Sequence, residues 1–258
     1  MNRLNTIYIG YDKREQAYFD VLVESIKRNT KETYNIIPLY EDRLRMMGMY
    51  WRGFTVKEHA NYELQKFDYL DEKPFSTDFS FTRFLIPMLN QYEGLALYMD
   101  CDMFVRADIK EVFDLAEKDF QTPLWCVHHN YVPKESMKMD SKLQEAYSKK
   151  NWSSFMLWNC EHGVHRNLTV GDVNTKTGWW LHNFKWMEDY TSTPIGKIPQ
   201  KWNWLDGHSP ETIEPSNVHF TTGGPAFSSW TSKRNIEQTY VDEWVQMFKE
   251  VQMEEVMS

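Results

Sequence analysis

Two aspartates stand in the stretch LYMDCDMFV, residues 97–105, at positions 100 and 102. The residues before them are apolar, so Asp100 closes what reads as a buried strand. An ionised carboxylate costs several kcal/mol to desolvate unless it is paired or bound to a cation. Side chains alternate along extended chain, so Asp100 and Asp102 point the same way. Two carboxylates at that spacing can grip one hard divalent cation. Mg2+ or Mn2+ suits oxygen ligands and keeps positions open for a substrate's phosphates. The plainer alternative is a solvated turn after the strand, because so short a pattern also arises by chance.

The elements that must position these aspartates can be read in chain order. LNTIYIGY is a short apolar strand ending at Asp12, and the amphipathic segment REQAYFDVLVESIKRNT follows, with Ala17, Val21, Ser25 and Ile26 near helical spacing. YNIIPLY is a second strand, and FTRFLIPMLN reads as a helix that Pro87 would kink. GLALYMD is a third strand, apolar throughout. ADIKEVFDLAEKD is a helix, with Asp108 and Glu111 spaced as a capping box. PLWCV is another strand. Residues 134–150, polar and rich in Met and Lys, read as a helix and loop over the sheet. Residues 171–207 hold many Trp, Pro and Gly with little periodicity, as binding segments often do. Trp179, Trp180, Trp202 and Trp204 read as core. The tail IEQTYVDEWVQMFKEVQMEEV is an amphipathic helix with Ile236, Tyr240, Trp244, Phe248 and Val251 on one side. Strand and helix alternate, which predicts an α/β fold: a mostly parallel central sheet with helices on both faces. No repeat divides the chain, so one domain over 1–258 is expected. In open sheets of this kind ligands bind outside the carboxyl ends of the strands, and both Asp12 and Asp100 sit at such ends.

Composition narrows the function classes. With 37 acidic against 29 basic side chains the formal net charge is -8, which argues against a general nucleic-acid binder. Cys101, Cys126 and Cys160 show no CxxC spacing and read as reduced thiols of a cytoplasmic protein. The start of the chain has no long apolar run of the signal-peptide kind, and no run approaches the ~20 residues of a membrane span.

Other segments join the aspartates. LALYMDCDMFVRADIKEVFDL resembles the "vlYlDaDvlv..di..L" segment of family-eight glycosyltransferases, the glycogenin and bacterial lipopolysaccharide galactosyltransferase group. IYIGYD, residues 7–12, is similar to that family's first strand, FSFTRFLIP to its "ty.Rl.ip" helix, and NWSSFMLWN to its "fNsGvmliN" strand. IPQKWNWLDG resembles its "lp..wN" segment and VHFTTGGPAF its "iHf.g..KPW" ending. Six segments in the family's order span nearly the whole chain. The resemblance implies a GT-A fold, a Rossmann-like nucleotide-diphospho-sugar transferase architecture. It implies a nucleotide-binding half over 1–130 and an acceptor-side half over 131–258. It implies a nucleotide-sugar donor, most often a UDP-sugar, transfer with retention, and Mn2+ or Mg2+ held by Asp100, Asp102 and His219. It further implies donor contacts from Asp12, by the base, and Arg83; Tyr11 beside Asp12 is a further donor-binding candidate, and Asp78 a candidate acceptor for a donor-sugar hydroxyl. The acceptor, a carbohydrate or another hydroxyl, is not implied.

The departures from the family are specific. Its ending carries a Lys that touches the diphosphate; here Gly223-Gly224 stands in that place, and two backbone N–H groups are the substitute. Its DQ dipeptide is missing, and Glu188 and Asp189 are the candidates for a supporting carboxylate. Ser153-Ser154 replaces an Asn-Ser/Ala-Gly stretch that faces the donor sugar. Each residue also has a plain structural role open to it. Asp12 and Asp78 suit helix N-caps, Arg83 a surface ion pair, and His219 an ordinary structural histidine. Two other functions fit parts of the pattern. MDCDMFV also resembles the DxDx(T/V) nucleophile of haloacid-dehalogenase phosphatases, which lies near their N-terminus. A non-catalytic carbohydrate-binding protein would keep the aromatics but has no need of a metal site.

Overall fold

The computed structural model describes residues 4–58, 64–129, 149, 151–188, 194–221, 223–226 and 238–257. In chain order the elements are β1 (Thr6–Gly10), α1 (Gln16–Asn29), β2 (Asn35–Leu39), α2 (Glu41–Met46), β3 (Phe54–Glu58), β4 (Leu64–Asp68) and β5 (Pro74–Phe75). Then come α3 (Ile86–Leu89), β6 (Leu95–Met99), β7 (Met103–Val105), α4 (Lys110–Glu117), β8 (Leu124–Val127), β9 (Phe155–Asn159), α5 (Val170–Thr175) and α6 (Gly178–His182). The chain closes with β10 (Gly196–Ile198), β11 (Trp204–Leu205), β12 (Asn217–His219) and α7 (Gln238–Met257).

A six-stranded sheet in the order β10-β8-β9-β6-β1-β2 forms the centre. β1 runs parallel to β2 and β6, and β10 parallel to β8. β9 alone is reversed, pairing antiparallel with both β6 and β8. The mostly parallel α/β reading therefore holds. β1 and β6 are buried along their whole length, because a sheet covered on both faces asks for continuous apolar strands. Alternation sorts their side chains: Tyr8, Ala96, Tyr98, Met156 and Trp158 join one core, and Ile7, Ile9, Leu97, Met99 and Leu157 the other. Pro38 is tolerated in β2 because that strand is at the sheet's edge.

Two expected helices differ from their sequence reading. FTRFLIPMLN makes a 3-10 turn, Thr82–Leu85, followed by the single turn α3. Pro87 lies in the first turn of α3, where a missing N–H costs nothing, so it begins the turn instead of kinking it. At α4 no capping box forms. Asp108 accepts from the Lys110 amide at 3.0 Å, but Glu111 turns away to Lys201 Nζ at 2.7 Å. Trp202 and Trp204 are buried as expected, whereas Trp179 is 40% exposed. Of the segment 134–150 only Lys149 is among the described residues.

A second, three-stranded sheet, β11-β12-β7, leaves the first one at the elbow between β6 and β7. α7 covers it: Tyr240 and Trp244 pack with Tyr18, Phe104, Trp204, Val218 and Phe220. Ion pairs fix the helix there, Arg106 to Glu243 at 2.7 Å and Arg28 to Glu250. Among the described residues no helix is long and apolar enough to cross a membrane.

A third, antiparallel sheet, β3-β4-β5, is fastened by one buried ion pair. Arg52 clasps Asp68 with Nε at 2.9 Å and Nη2 at 2.6 Å, and its Nη1 gives to the carbonyls of Val173 and Lys176 beside α5. Both side chains are almost wholly out of solvent. Removing one partner strands the other charge in the interior, which costs about 3–5 kcal/mol. Asp68→Ala is therefore expected to lose about that much stability in urea unfolding at neutral pH. A loss below about 1 kcal/mol would show that water reaches Arg52 and that the clasp does not hold this sheet.

Candidate active site

Topology locates the site. From β1 the chain crosses to β2 on one side and reaches β6 on the other. The carboxyl ends of β1 and β6 therefore border the crevice where open α/β sheets bind ligands. Asp12 follows one strand and Asp100 the other. Asp100, Cys101 and Asp102 are themselves the elbow between the two sheets.

The pairing of β7 with β12 brings in the third group. Their antiparallel register sets His219 opposite Met103, and the Phe220 N–H donates to the Asp102 carbonyl at 2.9 Å. His219 Nε2 consequently stands 3.2 Å from Asp102 Oδ1. One ligand atom each from Asp100, Asp102 and His219 lies within 4.8 Å of the others. Neighbouring ligands around a small divalent cation sit about 3 Å apart when each is about 2.1 Å from it. Asp102 Oδ1 is buried and receives no hydrogen bond among the described residues. A buried acceptor facing a nitrogen that is not aligned as its donor is an arrangement that a cation completes, so these residues fit one.

Asp100 is held from three directions. Arg83 Nη1 pairs with Oδ1 at 3.0 Å, the Tyr98 hydroxyl donates to the same oxygen at 2.6 Å, and the Asp100 amide donates to the Ser154 carbonyl at 3.0 Å. Gly10 is needed for this, since a Cβ there would lie 2.5 Å from the Tyr98 hydroxyl and 2.6 Å from the Phe79 ring. Arg83 is buried, not on the surface, and also gives to the carbonyls of Phe79 at 3.1 Å and Ser153 at 2.9 Å. Ser153 Oγ in turn lies 2.8 Å from His182 Nδ1. Burial holds that imidazole down at about 3, and the charge of Arg83 adds to the effect, so it is neutral.

Burial and the neighbouring Asp102 push the Asp100 carboxyl above its ordinary range, against the pull of Arg83. Burial alone would lower His219; the Asp102 carboxylate outweighs it and holds the imidazole above its usual value.

Asp12 is nearly inaccessible and caps the 3-10 turn Lys13–Glu15. Its Oδ1 takes the Arg14 amide at 3.0 Å and Arg14 Nε at 2.9 Å, while Oδ2 takes Arg14 Nη2 at 2.5 Å and the Asp78 amide at 3.3 Å. Burial works against its ionisation, but the bonds from Arg14 prevail and keep the carboxyl below the usual range. Asp78 pairs with Lys66. Tyr11 packs edge-on against Tyr40 at 4.5 Å and gives its hydroxyl to Gln16. The Gly223 amide is used by the Phe220 carbonyl at 3.1 Å, and Gly224 is forced by Tyr18, whose hydroxyl would be 2.6 Å from any Cβ. Glu188 is exposed and paired with Lys185, and Asp189 lies outside the described residues.

Four residues of this site were not singled out from sequence. Tyr98 is two residues before Asp100 and so on its side of the strand, a signal that was available. Asn203, in the quoted IPQKWNWLDG, accepts from His219 Nδ1 at 2.8 Å. Arg14 saturates Asp12, as described. Glu15 is three residues after an N-cap, but it does not close a capping box; it receives the Cys101 thiol at 2.9 Å. Cys101 is therefore a buried donor within the elbow, and burial holds it as the thiol.

No family model matches the sequence. Protein CDI of Arabidopsis thaliana is 39% identical over 253 residues, which is 96% of this chain and 87% of that protein. Among solved structures, the apo form of the bifunctional glycosyltransferase WbbM aligns at a TM-score of 0.59 and 15% identity, over 96% of this chain and 50% of that one. The chain thus spans about half of WbbM's length. The galactosyltransferase LgtC, in complex with donor and acceptor sugar analogues, aligns at 0.53 and 11% identity over 95% of both chains. The glycosyltransferase GlyE of Streptococcus pneumoniae TIGR4 aligns at 0.54 and 12% identity, over 95% of this chain and 60% of its own. At these identities the likeness is one of fold.

The third carboxylate makes the site pH-sensitive. Burial, with the charge of Asp102 next, pushes Glu15 up to about 8 from an ordinary 4.5. Between those values the unfolded chain releases the Glu15 proton and the folded one keeps it. Folding stability from this group is complete below the lower value and falls as pH rises toward the higher one, by up to about 1.4 kcal/mol per pH unit. In metal-free protein, Glu15→Gln is expected to remove that part of the slope, so that the variant gains on the wild type as the buffer goes from mildly acidic to mildly alkaline. Parallel stability-against-pH curves for the two proteins would mean that Glu15 is ionised throughout.

Proposed function

The chain belongs to one family with Protein CDI of Arabidopsis thaliana and has the GT-A glycosyltransferase fold, and from that premise we propose that it is a metal-dependent glycosyltransferase. The donor in this reading is a nucleotide sugar, a UDP-sugar by resemblance. The sugar passes with retention to a hydroxyl acceptor. The observation that carries the proposal is the convergence of Asp100, Asp102 and His219 at the carboxyl edge between β1 and β6.

Those three residues would hold Mn2+ or Mg2+. Such a cation supplies Lewis-acid charge against the diphosphate that leaves with the nucleotide. The chain's own residues have separate tasks. Arg83 keeps Asp100 in place through Nη1 and is itself held by Nε on the Phe79 carbonyl, and its Nη2, which has no hydrogen bond among the described residues, is left for a phosphate oxygen. Asp12 and Tyr11 stand at the β1 end of the crevice, where the nucleoside would lie. Both Asp12 oxygens are already occupied, so a contact there is made with Arg14 or by displacing it. Gly224 supports the loop after His219, and Glu188 and Asp189 remain the candidates for a supporting carboxylate.

Incubation with a panel of nucleotide sugars and Mn2+, followed by assay of the free nucleotide diphosphate, tests the reading. Asp100→Asn and Asp102→Asn keep shape and remove ligand charge. Each is expected to lower release and transfer by two orders of magnitude or more, since a cation is worth several kcal/mol here, with melting temperatures showing intact folding. Full activity in both variants would remove the metal from the mechanism.

A further inference from the structure

Asn203 is fully buried, at the end of the 3-10 helix Gln200–Asn203. Its amide can be oriented in only one way. Nδ2 lies 3.2 Å from the Asn151 carbonyl oxygen, an atom that only accepts, so that end carries the hydrogens. Nδ2 also gives to Ser154 Oγ at 2.9 Å, whose own proton goes to the same Asn151 carbonyl at 2.8 Å. The opposite end, Oδ1, only accepts, and His219 Nδ1 is 2.8 Å from it. Nδ1 must therefore carry a hydrogen. In the neutral imidazole the lone pair is then on Nε2, the nitrogen 3.2 Å from Asp102 Oδ1.

We propose that Asn203 is a positioning residue that fixes the tautomer and ring orientation of His219, so that Nε2 is presented to a cation beside Asp102. The assignment of a cation rests on the glycosyltransferase reading; the tautomer does not. Metal-binding histidines are generally oriented in this way by a partner on the other ring nitrogen. Here the partner is itself anchored. The turn before β9 begins at Asn151, whose φ of 63° is left-handed, a conformation that Asn tolerates better than most residues. That turn holds Asn203 through Asn151 and Ser154, and the Ser154 carbonyl holds the Asp100 amide. Ligands that belong to two different sheets are thus referred to one short turn. The Ser153-Ser154 pair, read from sequence as a change on the sugar side, works here as the frame of the ligand set.

Nitrogen NMR of labelled histidine in metal-free protein, in mildly alkaline buffer, reads the tautomer directly. The wild type is expected to show His219 protonated at Nδ1; protonation at Nε2 overturns the proposal whatever any variant does. Asn203→Asp keeps the accepting oxygen and is expected to keep the tautomer. Asn203→Leu keeps volume without the acceptor and is expected to shift the tautomer toward Nε2 and to weaken Mn2+ binding about tenfold to a hundredfold in a paramagnetic-resonance titration. Thermal melts serve as the folding control. A folded Asn203→Leu with unchanged tautomer and Mn2+ affinity also overturns it. A wild type with the Nδ1 proton and no affinity for Mn2+ upholds the orienting role of Asn203 and refutes the metal reading instead.

Discussion

Acidic groups crowded at one elbow are the constraint on which the rest of this molecule depends. Asp100, buried beside the partly exposed Asp102, needs nearby positive charge to ionise, and Glu15 adds a third carboxyl that stays neutral far above its ordinary range. The chain answers with the buried Arg83 on one side and His219 on the other. Both answers need architecture. Arg83 reaches Asp100 because the 3-10 turn Thr82–Leu85 is buried beneath the sheet. His219 reaches Asp102 only because β12 pairs with β7 in one register, and a slip of one residue would turn its ring to the opposite face.

The two sheets therefore meet at the place where charge must be balanced. β6 belongs to the large sheet and β7 to the small one, with three residues between them. The small sheet has little surface of its own to bury. It is kept in place by α7, through Tyr240 and Trp244, and by the clasp of Arg106 on Glu243. Packing far from the crevice in this way fixes the position of the His219 ring within it.

Much of this was legible in the sequence, for physical reasons that can be named. Strand endings at Asp12 and Asp100 follow from apolar runs that stop abruptly, and the rule for open sheets puts both at one edge. The common side of Asp100 and Asp102 follows from alternation. The reversed direction of β9 was not legible, since FMLWN is equally apolar read either way and only its neighbours decide. The capping box expected at Asp108 failed because Glu111 has a better partner in Lys201. Arg83 was read as a donor-binding residue or a surface ion pair, because burial beside Asp100 depends on a contact across the fold. Asn203 falls on the final N of the "lp..wN" resemblance, but its task is not readable until the Asn151 carbonyl fixes which way its amide faces.

The distance along the chain between these partners has a consequence during synthesis. The carboxylates at 100 and 102 leave the ribosome long before His219, and β9, which must enter between β6 and β8, also comes after them. At translation speeds of about 5–20 residues per second, the wait for His219 lasts on the order of ten seconds. Over that interval the nascent chain has its acidic elbow and Arg83 but neither the second sheet nor the helix that covers it. Ribosome-bound chains that end before residue 219 thus carry β7 without its partner strand β12.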